Sequence, residues 1–240
     1  MNIDNKIGDR KLFDNILKSK SGRYFVSFVN PFSYNSLMKN KTLSENIDVF
    51  FIDGNLFRLL YGLFHNKVER ISFDYSSIAS DVLDYAVSEG LNVGFVGATA
   101  TELEKAIDNI NLNHNNLKVV YKRNGYFSSQ EEREKALHCI NDTNVQLLIV
   151  GMGTPYQEEF MSLVKKSCTK VRLAFSCGGF LTQTSINKDY YHPLIKKFHL
   201  MWLQRMFMHS HVRKRVLTDY PVFVVKYIIT NLKRVFRVRS

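Results

Sequence analysis

A glycine-rich turn follows a short apolar run in the second half of the chain, and its residues could hold a ligand. Residues 147–150 are all apolar, which predicts a buried parallel strand. Gly151 and Gly153 end that strand, and Gln157 and Glu158 stand where a helix would begin. In an open α/β sheet such a loop binds ligands, because helix N-termini and backbone amides converge there. A plain tight turn has a similar sequence, so the pattern alone leaves both interpretations open.

A carboxylate stands at the end of a second apolar run. Asp53 follows the apolar residues 50–52 and precedes Gly54, so its side chain should emerge where a strand ends. Partial burial raises the proton affinity of a carboxylate towards the working pH, so Asp53 could act as a general base. An Asp-Gly pair is also a common turn, and its position alone does not decide between the two interpretations.

Alternating strand-like and helix-like segments must position these residues. Strands are predicted over residues 23–29, 47–52, 92–96, 117–121, 147–150 and 171–175. Helices are predicted over residues 33–39, 55–61, 76–88, 102–109, 131–141 and 158–166, with Thr101 and Glu104 as a capping box. This alternation predicts an α/β, Rossmann-like fold over residues 1–190, with a largely parallel sheet and helices on both faces.

The turns that follow parallel strands lie at one edge of the sheet, so their residues should meet. The residues predicted at this edge are Asn30, Asp53, Gly54, Gly97, Asn124, Gly151, Gly153, Gly178 and Gly179. The sequence therefore predicts one substrate site that is built from several strand ends.

Residues 192–240 carry almost all of the net charge. They contain eleven Lys and Arg residues against the single acid Asp219, which leaves +10 of the chain's +11. Apolar residues recur there at helical spacing, among them Trp202, Phe207 and Tyr227. Such spacing fits core packing, and the interleaved bases fit a helix at a membrane interface about equally well. We predict a basic helical appendage over residues 191–240 that meets an anionic surface, either membrane phosphates or nucleic acid.

Several classes of protein are disfavoured by what the sequence lacks. It has no dinucleotide fingerprint, Walker loop, nucleophile elbow or H-E-x-x-H motif. It has no Asp-x-Asp pair and no histidine cluster, so we predict no metal and no cofactor, and protein donors must stabilise any pyrophosphate. Three scattered cysteines fit a reducing cytosol, and neither a signal peptide nor an apolar run of about 20 residues is present.

Several segments, taken in order, together resemble the WecG/TagA/CpsF family, glycosyltransferase family 26. The matching segments are Asp53-Gly54, Glu69-Arg70, residues 93–97, 124–127 and 151–158, Gly178-Gly179, and a tail with Trp202, Arg205 and Arg215. They extend over about residues 24–227, and the segment 151–158 is the most specific of them.

The resemblance implies an enzyme that moves an N-acetylmannosamine-type sugar from UDP to a polyprenyl-pyrophosphate-linked acceptor. It further implies inversion at the anomeric carbon, no metal, and a peripheral location on the cytoplasmic face of the cell membrane. By position, Asp53 resembles the general base, and Arg70 and Gln157 resemble residues of the substrate site. The further substrate-binding residues implied in this way are Asn30, Glu158, Arg205 and Arg215.

The sequence departs from the family pattern at three places. Phe28, beside Ser27, stands where the family has Thr, and Met201 stands where it has an acid. Residues 178–182, Gly-Gly-Phe-Leu-Thr, replace a Gly-Gly-x-Phe-Asp segment. These departures leave the donor sugar open.

A non-enzymatic module that binds nucleic acid through the basic tail is the alternative. It explains the charge, but it does not explain Asp53, Arg70 and Gln157 near predicted strand ends. We therefore predict an enzyme whose partners are a UDP-sugar donor, a lipid-linked acceptor and an anionic membrane surface, with no nucleic acid. The oligomeric state stays open, and a homo-oligomer is one possibility.

Overall fold

Six strands form one parallel sheet in the structure, a computed structural model that describes residues 3–186 and 210–239. The strands are β1 (Tyr24–Val29), β2 (Val49–Ile52), β3 (Asn92–Gly97), β4 (Lys118–Arg123), β5 (Leu147–Gly151) and β6 (Leu173–Ser176). Their order across the sheet is β2-β1-β6-β5-β3-β4, and every pairing is parallel. The predicted α/β, Rossmann-like architecture is confirmed.

Helices connect the strands and cover the sheet. A short 3-10 helix (Ile3–Lys6) precedes α1 (Arg10–Lys18), α2 (Pro31–Lys39), α3 (Lys41–Asn46), α4 (Asn55–Tyr61), α5 (Ala79–Ser88) and α6 (Ala100–Asn111). They are followed by α7 (Gln130–Asp142), α8 (Tyr156–Ser167), α9 (Phe180–Ile186) and the long C-terminal α10 (Ser210–Arg239). No described helix combines the length and the apolar character that crossing a membrane requires.

The two faces of the sheet carry separate apolar cores, because successive residues of a strand point to opposite sides. Phe51 packs in one cluster of buried residues with Phe13 of α1. Its neighbour Phe50 belongs to the other cluster, together with Phe57 of α4. Strand β5 is buried at every residue, which explains why an unbroken apolar run marked it in the sequence.

The start of α6 differs from the prediction. Thr99 caps this helix: its Oγ1 accepts a hydrogen bond from Glu102 N (3.3 Å), and Glu102 Oε2 accepts one from Thr99 N (2.9 Å). The predicted box of Thr101 and Glu104 is therefore wrong, although it has the same spacing. Strand β3 ends at Gly97, so the chain turns two residues earlier than the prediction placed the cap.

Helix α10 packs against the sheet domain through aromatic rings. Phe223 and Tyr227 are buried, and Phe223 lies 5.0 Å from Phe57 of α4 and 5.5 Å from Tyr34 of α2, between ring centroids. Tyr34 also donates a hydrogen bond to the buried carboxylate of Asp4 (3.0 Å). The predicted C-terminal appendage is helical over its described residues, and these rings hold it against the sheet domain. The predicted domain boundary at 190/191 lies outside them and stays a prediction.

Candidate active site

A cleft of about 460 Å³ opens where the strands end, and residues that follow all six strands line it. The predicted site residues that line this cleft are Asn30, Asp53, Gly54, Arg70, Gly151, Gly153, Gln157, Gly178 and Gly179. The parallel sheet thus brings together residues that are up to about 150 positions apart in the chain, since all strands present the same end to this edge.

Asp53 and Arg70 form an ion pair in the lining of the cleft. Arg70 Nη2 lies 3.5 Å from Asp53 Oδ1 and donates a closer hydrogen bond to Asp74 Oδ2 (2.8 Å). Asp74 is itself held by Ser72, whose Oγ donates to Oδ2 (2.6 Å), and by Ser76, whose backbone N donates to Oδ1 (2.8 Å). One guanidinium is therefore fixed between two carboxylates, and Asp74 positions it beside Asp53.

Backbone hydrogen bonds hold this pair at the sheet edge. Asp53 N donates to Val29 O of β1 (2.9 Å), and Ile71 N donates to Ile52 O of β2 (3.0 Å), which returns the loop with Arg70 to the strand end. Gly54 follows with a φ of 107°, a conformation that residues with a Cβ rarely adopt. Helix α4 then begins at once, so the Asp-Gly pair is both a turn and a means of placing the carboxylate in the cleft.

Gln157 lies in the first turn of α8 and has both ends of its amide engaged. Its Nε2 donates to Glu158 Oε1 (2.9 Å) and to Thr154 Oγ1 (3.3 Å), and its Oε1 accepts from Gly178 N (3.3 Å). The side chain is almost fully buried and still lines the cleft. It links the loop after β5 to the loop after β6.

Some predicted residues shape the cleft without lining it. A Cβ on Gly97 would lie 2.4 Å from Gly151 O, so the absence of a side chain at Gly97 allows the ends of β3 and β5 to approach closely. Asn124 accepts a hydrogen bond from Tyr126 N (3.0 Å) and fixes the turn after β4, from which Gly125 and Tyr126 reach the cleft.

Asn30 and Glu158 also have structural partners. Asn30 Oδ1 accepts from Phe32 N (3.0 Å) and Ser33 N (3.1 Å) and so caps α2, while the residue lines the cleft. Glu158, which we predicted to bind substrate, has no exposed surface and is not among the lining residues. Burial raises the pKa of the Glu158 carboxyl group above its ordinary value, although hydrogen bonds from Gln157 and Ser27 act in the opposite direction.

The C-terminal helix contributes to the same cleft. Val216 and Tyr220 of α10 line it. Sequence reasoning missed both, and it missed Asp74, because no local pattern marks a residue that meets the site only through the tertiary fold. Arg215 belongs to α10, but its side chain lies outside the described part of the structure, as does the whole of Arg205. Both therefore stay predictions.

Acidic and other metal-ligating side chains are sparse in this cleft. Over residues 3–186 and 210–239, no three His, Cys, Asp or Glu side chains are arranged so that they could hold an ion. The polar groups that line the cleft include the Asp53–Arg70 pair, the Gln157 amide and the glycine-rich loops. Such an arrangement can remove a proton from a hydroxyl group and bind an anionic substrate.

Comparison with known proteins agrees with this geometry. The model of the WecG/TagA/CpsF glycosyl transferase family matches residues 5–237. The chain belongs to this family. It is also 39% identical, over 98% of both chains, to the UDP-Gal:alpha-D-GlcNAc-diphosphoundecaprenol beta-1,4-galactosyltransferase of Shigella boydii. The family relationship makes this protein an enzyme, a glycosyltransferase, and the strand-end cleft is its candidate active site.

Proposed function

We propose that this glycosyltransferase moves a sugar from a UDP-sugar to an acceptor sugar that is linked through a diphosphate to a polyprenol. The relative that is 39% identical carries both substrates in its name. The observation that carries the proposal is the Asp53–Arg70 pair in a cleft at the strand ends. A carboxylate and a guanidinium side by side provide a base for the acceptor hydroxyl and a cation for a diphosphate.

The proposed reaction is a single displacement. The acceptor hydroxyl oxygen attacks the anomeric carbon, its proton passes to the Asp53 carboxylate, and the bond from that carbon to UDP breaks with its electron pair on the leaving phosphate. Attack on the side opposite the leaving group inverts the anomeric centre. Inversion agrees with the beta linkage in the name of the relative, because the sugar of UDP-galactose is alpha-linked.

Protein donors stabilise the UDP leaving group in this proposal, and no metal ion takes part. Arg70 provides a permanent positive charge at the cleft, and a guanidinium can contact two phosphate oxygens at once. The backbone amides of the glycine loops add partial charges. Activity should therefore persist in EDTA.

A donor panel tests the proposal. UDP release is measured with a synthetic GlcNAc-diphosphate-lipid acceptor and with UDP-galactose, UDP-glucose, UDP-GlcNAc and UDP-ManNAc. We expect UDP-galactose to be the best donor, because the relative uses it; preference for UDP-ManNAc would instead support the N-acetylmannosamine-type sugar that the sequence resemblance implied. No turnover with any donor, together with a melting temperature that rises with single-stranded RNA and not with UDP, would support nucleic-acid binding.

A second apolar stripe on α10 supports peripheral attachment to a membrane. The helix is buried on the side of Phe223 and Tyr227, yet it also carries exposed apolar residues at alternating spacings of three and four. These residues are Val222, Val225, Ile229, Leu232 and Phe236. Residues at such spacing share one face of a helix, so this stripe lies on a single side.

The charges beside the stripe favour an anionic lipid surface as its partner. Lys226 and Lys233 are both exposed on α10 and flank the stripe. A second copy of the chain would bring the same positive charges together, whereas anionic headgroups would be attracted by them. We propose that this face rests on the cytoplasmic leaflet, where the acceptor lipid would also lie.

Removing the apolar character of the stripe should weaken binding to vesicles. For Val225→Gln combined with Ile229→Gln, we expect binding to vesicles with phosphatidylglycerol to fall about tenfold or more, since two apolar side chains that the membrane would bury are replaced by polar ones. Binding of the unmodified protein should weaken steeply with salt, because each base near the surface contributes about 1 kcal/mol.

The matched control is Thr230→Gln, which changes an exposed polar residue of the same helix. It should bind vesicles like the unmodified protein. Equal binding by the double variant, or salt-insensitive binding, would contradict the proposed surface, and a change of oligomeric state in the double variant would assign the stripe to a second copy.

A further inference from the structure

Glu158 is a buried carboxyl group that no Lys or Arg of the described residues neutralises. It has no exposed surface, and within the described residues no Lys or Arg forms an ion pair with it. Its Oε2 has no hydrogen-bond partner there either. Burial without such a partner disfavours the charged form and raises the pKa of this carboxyl group above its ordinary value.

The other carboxyl oxygen is a point where several donors meet. Glu158 Oε1 accepts hydrogen bonds from Ser27 Oγ (2.7 Å), Gln157 Nε2 (2.9 Å) and Thr154 Oγ1 (3.2 Å). These donors come from β1, from α8 and from the loop after β5. One atom therefore joins β1 to the loop after β5 and to the start of α8.

Hydrogen bonds lead from Glu158 to the cleft in two directions. Because Ser27 donates to Glu158, it accepts from Ser176 Oγ at 2.9 Å, and Ser176 lines the cleft. On the other side, Gln157 also lines the cleft, and its amide can point only one way, since Nε2 faces Glu158 and Oε1 faces Gly178 N. A reversed amide would place two donors against each other at Gly178.

We propose that Glu158 is a positioning residue, which holds the Gln157 amide in the orientation that sugar transfer requires and does not touch the substrate itself. This inference rests on the proposed function, and it assigns to Glu158 a role different from substrate contact. What Gln157 needs from its neighbour is an acceptor atom at a fixed place. A neutral side chain with a carbonyl oxygen at that place should therefore replace Glu158, and an apolar side chain of similar length should not.

The test is a double-mutant cycle between residues 157 and 158, read as kcat/KM. We expect Glu158→Met and Gln157→Ala each to lower kcat/KM by about 30-fold. The double variant should also lose about 30-fold, because Glu158→Met already abolishes the orientation of the amide that Gln157→Ala removes. Glu158→Gln should retain about a third or more of the activity, since three donors orient its carbonyl oxygen as they orient Oε1.

Ser162→Ala is the matched control for mere loss of structure. Ser162 is buried on the same helix and donates to the backbone oxygen of Glu158 (2.8 Å), so its removal costs a buried hydrogen bond without touching Gln157. It should lower the melting temperature and leave kcat/KM unchanged. If Glu158→Met does not fold, the Glu158→Gln variant decides.

Three outcomes would overturn the proposal. The first is a double variant whose kcat/KM falls by about 900-fold, the product of the two single losses. The second is a folded Glu158→Gln variant whose kcat/KM is as low as that of Gln157→Ala. The third is a Ser162→Ala variant whose kcat/KM falls together with its melting temperature. The wild type is measured first. If it lacks turnover with every donor, the proposed function fails. If the wild type is active and the two single losses of kcat/KM multiply in the double variant, only the role of Glu158 is contradicted.

Discussion

Asp53→Asn is expected to lower kcat by about 100-fold or more while UDP still binds, because asparagine keeps the shape of the side chain and cannot accept the proton of the acceptor hydroxyl. Asp53 lines the cleft beside Arg70, so a carboxylate there lies next to the groups that would bind the diphosphate. Steady-state kinetics with the donor panel measure kcat, and a titration with UDP measures binding separately.

Asp74→Asn is the matched comparison for this prediction. It removes the same charge from the same cleft, but Asp74 acts through Arg70, to which it is bound at 2.8 Å. We expect it to lose about tenfold in kcat/KM, mainly through weaker donor binding. Near-normal turnover of Asp53→Asn, or an equal loss of kcat in both variants, would mean that Asp53 is not the base.

The strands and most helices could be predicted because their signals are local. Strand β5 is an unbroken apolar run, and such a run in a parallel sheet is buried on both faces. Asp53 and Gly54 were recognisable because a charged residue and a glycine directly follow an apolar strand. The sequence places the capping box of α6 two residues late, because Thr99–Glu102 and Thr101–Glu104 have the same spacing and only the position of the preceding turn distinguishes them.

The sheet order and several site residues could not be predicted, because they depend on contacts between distant segments. The order β2-β1-β6-β5-β3-β4 requires the chain to cross the sheet after β2, which no local pattern encodes. Asp74 acquires its role only when the loop returns Arg70 to the end of β2. Ser27, on β1, meets Glu158 across 131 residues of sequence.

The C-terminal helix α10 joins the basic tail to the sheet domain. Phe223 and Tyr227 anchor α10 on α2 and α4, and Val216 and Tyr220, nearer its N-terminal end, line the cleft. A basic helix is thus docked beside the site in which a diphosphate must be stabilised. We propose that an arginine from this helix supplies charge to the leaving group, so that the site is complete only when the tail is docked.

Two arginines compete for this role. The family resemblance implies Arg215, whereas helical spacing favours Arg213, which stands three residues before Val216 and seven before Tyr220 and so shares their side of α10. Both variants therefore have to be measured. Lys214→Ala is the matched control, because it removes the same charge from an exposed position between them.

Arg215→Ala is expected to lose about 30-fold or more in kcat with a short-chain soluble acceptor in detergent, where membrane affinity no longer matters, and EDTA should not affect the wild type. Lys214→Ala should keep its activity, because the ammonium group of this exposed lysine lacks the fork of donors with which an arginine binds phosphate oxygens. A loss confined to Arg213→Ala would move the assignment to that residue and keep the coupling between tail and site. Wild-type turnover in both arginine variants, or abolition of wild-type activity by EDTA, would show that the leaving group is stabilised in another way and that the tail serves only to reach the membrane.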